Sequence, residues 1–203
     1  MKFPATPAAI DALIKKYEGL VEEVDDSLLE LAVSSRLPMP GMPDDVEELV
    51  EFTDAGMPLA PEDITKVTDE DTGKLFSFFS GWTSYVQSEV AYAQVEKMMT
   101  KRTERIVKAA LSEYYKDVEK LPANQAAEKV LLDSRYLEID MQTARVEARH
   151  VLLEAAYEQL RRVINVVSRE QTRRKEELER VRHNPDREGD GSRPRIRLRS
   201  ERG

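Results

Sequence analysis

Four cations on one helical face are the residues best placed to do chemistry. Lys97, Lys101, Arg105 and Lys108 fall at i, i+4, i+8 and i+11. That spacing sets them along one side of an α-helix. Arg102 stands beside them, and Tyr114, Tyr115, Lys116 and Lys120 follow. Displacing counterions from phosphates needs a line of this kind. Single strands also favour aromatic or Arg planes on which bases stack. The same line can equally be the solvated side of a long helix. A second basic group, Arg161, Arg162, Arg169, Arg173, Arg174 and Lys175, is diluted by glutamates. In the last stretch Arg193, Arg195, Arg197 and Arg199 alternate with Pro, Ile and Leu. Candidate nucleic-acid contacts are therefore Lys97, Lys101, Arg102, Arg105, Lys108 and Lys116, with those four tail arginines.

Other chemistries find little support. The two histidines are His150, inside a helical pattern, and His183, where that pattern ends. Glu147 and His150 form one Glu-x-x-His pair. A di-metal helical bundle needs two such pairs, so only a homodimer would complete one. There is no phosphate-cradling Gly-rich loop and no nucleophile elbow. Zero cysteines exclude disulfides, thiol catalysis and thiolate metal sites. No catalytic residue, metal or cofactor is assigned, and the chain is not expected to be an enzyme.

The elements that must position the cations read as all-α. Charged residues make up 34% of the 203 and aromatics only 6%, which suits long exposed helices rather than a mixed α/β core. A long antiparallel helical hairpin is expected over 63–183, with an additional N-terminal amphipathic helix over 1–36. Between them lies an acidic, Pro-rich linker, 37–62, and after them a disordered Arg-rich tail, 184–203. In the N-terminal helix Ile10, Ile14, Tyr17, Val21, Val24, Leu28 and Leu31 keep unbroken 4-3 spacing. That stripe serves either a partner or the chain's own hairpin. Asp44 to Phe52 reads as a short acidic helix inside a flexible connector.

The first long helix is expected to begin near Asp69 or Thr72, with Leu75, Phe79, Trp82 and Val86 on its seam and Gly81 as its weak point. A Gly there costs about 1 kcal/mol relative to Ala. Apolar positions continue through Met98 to Val118. Pro122 and Asn124 mark the turn, Asn124 as N-cap. Val130, Ser134, Leu137, Met141, Ala144, Ala148, Val151 and Ala155 then supply the second helix's seam. A short loop between two long amphipathic helices makes them antiparallel.

Charge is polarised along the chain. Residues 1–71 hold 18 acidic and 5 basic side chains, and 161–203 hold 8 and 14. A basic end that meets an anion is the implication. No apolar run approaches the ~20 residues of a membrane span, and Met1 to Pro7 lacks the apolar core of a signal peptide. The setting expected is cytoplasmic.

Part of the hairpin resembles the UvsY family of phage recombination mediators. The likeness lies in Ser80-Gly81-Trp82-Thr83-Ser84-Tyr85, followed by a Glu/Lys-rich helix. It continues in Ile106-Val107-Lys108-Ala109-Ala110-Leu111-Ser112-Glu113-Tyr114-Tyr115, then Glu128-Lys129-Val130-Leu131-Leu132-Asp133 after a break. A Leu152-Leu153 helix ending near Ser168-Arg169 completes it, over residues 70–170. The resemblance implies a small helical protein that forms closed rings and binds single-stranded DNA. It implies partners too: a RecA-like recombinase, loaded onto DNA covered by single-strand-binding protein. On that reading the helix bearing Lys97, Lys101, Arg102, Arg105 and Lys108 touches DNA. The acidic N-terminal segment and the Arg-rich tail depart from the family pattern, and the tail is a rival contact. The alternative expectation is a helical scaffold or virion assembly protein acting through coiled-coil self-association.

Overall fold

The computed structural model describes residues 7–18, 22–54 and 56–183. Among these, five α-helices account for most of the chain: α1 Pro7–Glu18, α2 Glu22–Ser34, α3 Asp69–Glu113, α4 Ala123–Leu132 and α5 Ser134–His183. The expected all-α class and long hairpin are present. The tail 184–203, expected to be disordered, lies outside the described residues.

The 45-residue α3 starts where its sequence can cap it. The Thr68 hydroxyl accepts a hydrogen bond from the Asp71 amide at 3.2 Å. Asp69, Glu70 and Asp71 then set negative charge at the positive end of the helix dipole. The helix ends in a π-helical turn, Tyr114–Val118. Lys120 reverses the chain with a left-handed backbone, φ 54°. The following Leu121 amide donates to the Tyr115 carbonyl at 3.1 Å, which satisfies an end carbonyl.

The return helix differs from the expectation in two ways. Its first residue is Ala123, Pro122 holds the cap position without a side-chain bond, and Asn124 is already helical. It also breaks at Asp133, whose backbone is extended (φ −69°, ψ 131°). Asp133 caps α5 by accepting from the Arg135 amide at 2.9 Å, and its other oxygen accepts from the Tyr115 hydroxyl at 2.8 Å. The carboxylate thus rivets the kink to the hairpin turn.

Helices α3 and α5 run antiparallel for their whole shared length. Arg174 meets Asp69, Gln171 meets Thr72, Arg149 meets Glu96 and Tyr136 meets Glu104. The seam on α5 is not the one expected. Tyr136, Ile139, Thr143, Val146, His150, Leu153, Tyr157, Leu160, Ile164, Val167, Gln171 and Arg174 face α3, alternating steps of three and four, and all are buried or half-buried. Leu137, Met141 and Val151, expected on the seam, are 45%, 56% and 58% exposed. Two stripes of equal period share this helix, and polar residues in the true seam hide it from an apolar count. On α3, Leu75, Phe79, Trp82 and Val86 are buried, whereas Met98 is exposed, as is Val118 at the end of the π-helical turn.

Two apolar clusters result. At the open end Leu75, Phe78, Phe79, Trp82 and Val86 of α3 pack with Leu160 and Val167 of α5. At the turn end Val107, Leu111, Tyr114 and Tyr115 pack with Ala126, Val130 and Tyr136. Between them the larger buried side chains are polar, Glu89 and Thr100 on α3 and Thr143 and His150 on α5, with Ala93 buried beside them.

The N-terminal segment folds back along this hairpin. Ile10 is buried in the turn-end cluster, and the Tyr17 hydroxyl donates to Glu113 at 2.7 Å. Ala32 is buried on α2, while Leu31, a stripe residue, is 66% exposed. The helix expected over 1–36 is described in two stretches, Pro7–Glu18 and Glu22–Ser34, and both are helical. The linker is neither free nor helical. Residues 44–49 form turns, and Glu51–Phe52 (β1) pairs antiparallel with Pro58–Leu59 (β2). Gly56, φ 77°, takes the loop position that needs positive φ. Val46 and Val50 are buried beneath α3, and Phe52 lies edge-on to Trp82 at 6.0 Å. Apolar residues among the prolines convert the connector into a strap over the aromatic end.

Candidate nucleic-acid interface

The four spaced cations do share one side of α3, but it is a flank that borders α5 rather than the outer face. Lys101 Nζ lies 2.5 Å from Glu147 of α5. That hydrogen bond, with the charges of Lys101 and Lys97, holds the Glu147 carboxyl below its usual value. Lys108 Nζ sits 5.7 Å above the Tyr136 ring. Arg105 and Lys108 are exposed, whereas Lys97 and Lys101 are half-buried. Arg102 is half-buried, itself engaged, and turned about 100° from Lys101 around the helix. Lys116 is exposed on the π-helical turn.

The bordering flank of α5 is acidic. Asp140 and Glu154 stand one heptad before and after Glu147, so the three share a side. The cation line therefore runs beside a parallel line of carboxylates. The tyrosines do not complete a stacking surface. Tyr114 is 1% and Tyr115 9% exposed, and burial followed by the Asp133 bond raises the Tyr115 hydroxyl well above its ordinary pKa. Both rings belong to the core of the turn.

The second basic group divides. Arg161, Arg162, Arg169 and Lys175 are exposed. Arg173 and Arg174 both bind the buried Glu170, at 2.7 Å and 2.6 Å. Their hydrogen bonds, Arg173 first, push the Glu170 carboxyl down to about 2. Arg174 also donates to Asp69 and to the Ile64 and Thr65 carbonyls, clamping the short 3-10 turn Ile64–Lys66 onto α5. Arg174 thus joins elements of the fold, whereas Arg173 pairs only within α5, with Glu170 and Glu177. Arg193, Arg195, Arg197 and Arg199 lie outside the described residues.

Two features escape sequence reasoning. Arg36 grips Glu89 through two bonds, 2.6 and 2.8 Å, and Arg149 reaches the same carboxylate at 3.4 Å. Both guanidinium groups also lie over the Tyr92 ring, Arg36 at 4.5 Å and Arg149 at 5.8 Å from its centroid. Three separate chain segments meet there, and no local spacing announces it. The other feature is the outward stripe of α5. It was visible as a 4-3 series, but its side was not.

His150 is buried, 3.5 Å from Glu154, and Glu147 is turned to Lys101. Among the described residues no group of three or more His, Asp or Glu is placed to hold a metal ion. None of the helices there is long and apolar enough to cross a membrane. The arrangement can bind and hold; it offers a polyanion a short basic edge.

No family model, no curated protein and no solved structure matches the chain.

Proposed function

We propose that this protein is a non-enzymatic recombination mediator, phage-encoded and acting in the host cytoplasm, that binds single-stranded DNA and helps load a RecA-like recombinase. Single-strand-binding protein is the second partner in this reading, and the chain works as a homo-oligomer. The observation that carries it is the cation line on one flank of α3, with Arg105 and Lys108 open to solvent. The likeness to UvsY in the aromatic start and the Tyr-Tyr turn supports it. Each cation would displace counterions from a phosphate, and assembly would multiply weak contacts into a strong one.

The test is anisotropy of a labelled single-stranded oligonucleotide across a salt series. Combining Arg105→Glu with Lys108→Glu removes two phosphate contacts, so the log–log salt slope should flatten by about 1.4. Unchanged binding after both reversals and removal of 184–203 sinks the reading.

A scaffold or virion assembly role is the second reading. The exposed apolar stripe on α5 favours it, because such a stripe serves protein contact rather than DNA. A mediator prefers single strands over duplex; a scaffold assembles without DNA and shows no such preference.

A further inference from the structure

Six residues of α5 repeat the geometry of a coiled-coil core on the side that faces away from α3. Leu137, Met141, Ala144, Ala148, Val151 and Ala155 follow steps of 4, 3, 4, 3 and 4, and every one is exposed. They stand about half a turn from the seam that α3 covers. From Leu137 to Ala155 the stripe is about 27 Å long. No charge interrupts it, and Leu152 at its edge is 70% exposed. The three alanines leave room for a second backbone to come close.

We infer that this stripe pairs in parallel and in register with the same stripe of a second copy of the chain. The inference deepens the homo-oligomer in the reading above and rests on that part of it alone. The flanking charges choose the occupant and its direction. In heptad terms Met141, Ala148 and Ala155 take position a, and Leu137, Ala144 and Val151 take position d. Asp140, Glu147 and Glu154 then occupy g, and Glu138, Arg145, Leu152 and Gln159 occupy e. In a parallel pair each g residue meets the e residue five places further along the other helix. Asp140 then meets Arg145 of the second copy, twice by symmetry. Glu147 meets Leu152 and Glu154 meets Gln159, so no like charges are opposed within α5; Asp133, five places before Glu138, lies in the extended kink ahead of the helix with its carboxylate held by Tyr115 and the Arg135 amide. In an antiparallel pair g faces g, and the acidic flank would be set against itself, carboxylate on carboxylate. In register, Leu137 stacks on Leu137 and Ala148 on Ala148. Nothing in the described fold obstructs this approach, because α3 covers the opposite side of α5. A two-fold pair built this way is closed and self-complementary.

The experiment uses the full chain, which has no native cysteine. Leu137→Cys and Ala155→Cys, each alone, are oxidised under mild conditions and resolved by mass. Parallel, in-register pairing predicts a disulfide dimer from each variant by itself. Disulfides that form only when the two variants are mixed would mean antiparallel pairing and overturn the inference. Sedimentation of the unmodified chain should give at least twice the 23.2 kDa chain mass. Met141→Glu with Val151→Glu should reduce it to one chain, with helicity retained because both sites face solvent in the hairpin. Assembly that survives those substitutions, or a monomer in the unmodified chain, overturns the inference too. Failure of the DNA reading would show in the Arg105 and Lys108 variants and leave mass and cross-linking untouched.

Discussion

Replacing Glu147 with Gln should make the protein bind single-stranded DNA more tightly. Glu147 occupies the ammonium of Lys101 at 2.5 Å and also bears on Lys97. The pair is half-exposed, 44% on the Lys side and 40% on the Glu side. Losing it should cost the fold only about 0–1 kcal/mol. The freed Lys101 adds one phosphate contact, which steepens the single-strand salt slope by about 0.7. At about 0.15 M salt that increment is worth roughly a fourfold gain in affinity per copy, fading toward about 1 M. The assay is the salt series on the oligonucleotide, with circular dichroism as the control for folding. Lys101→Gln in the Glu147→Gln background should erase the gain, which a general change in stability would not do. Unchanged or weakened binding by a folded Glu147→Gln protein would refute the masking of Lys101, and with it the place of α3 in DNA contact.

Arg36→Ala leaves the buried Glu89 carboxylate with Arg149 alone, at 3.4 Å. Breaking a fully buried pair costs 3–5 kcal/mol, and a half-exposed arginine reduces that to about 1–3 kcal/mol, readable by denaturant melts and by fluorescence of Trp82, the sole tryptophan. A loss under about 0.5 kcal/mol would contradict the clamp. Glu170 is held at about 2 when folded, below its ordinary 4.5, so its ion pairs stabilise the open end fully above 4.5 and progressively less as pH falls to 2. Hydrogen exchange near Thr72 and Gln171 should accelerate across that window, and Glu170→Gln should flatten the response. Gly81→Ala should stabilise the protein by about 0.5–1 kcal/mol in the same melts, since the new Cβ would meet Pro40 at an ordinary 3.8 Å.

The hairpin was legible because strong local signals agree. Aromatics at helical spacing form the seam of α3, and Pro122 marks the return. The true seam of α5 was illegible for a physical reason. Thr143, His150, Gln171 and Arg174 take core-facing positions, while Leu137, Met141 and Val151 face outward. An apolar count follows the second set. The strap was misread because prolines signal a break in helix, not a break in packing. Only tertiary contact shows Val46 and Val50 beneath the aromatic cluster. The cation spacing on α3 was readable, but not the carboxylates of α5 that border it, some 40 residues later in the chain. The kink at Asp133 had a signal that was passed over: an Asp directly before a helix-forming run is a cap.

The polar middle of the hairpin has a consequence for alignment. A 4-3 seam repeats every seven residues, so apolar packing alone would tolerate α5 sliding along α3 by a heptad. The Glu89, Arg149 and Tyr92 group tolerates no such slide. A seven-residue shift would carry Arg149 about 10 Å from Glu89 and bury the carboxylate with half its partners. Arg36 ties the N-terminal segment to the same carboxylate, between Ile10 at one end and Val46 at the other. The waist of the hairpin is thus its vernier: the apolar ends supply grip, and one buried charge selects which notch they grip.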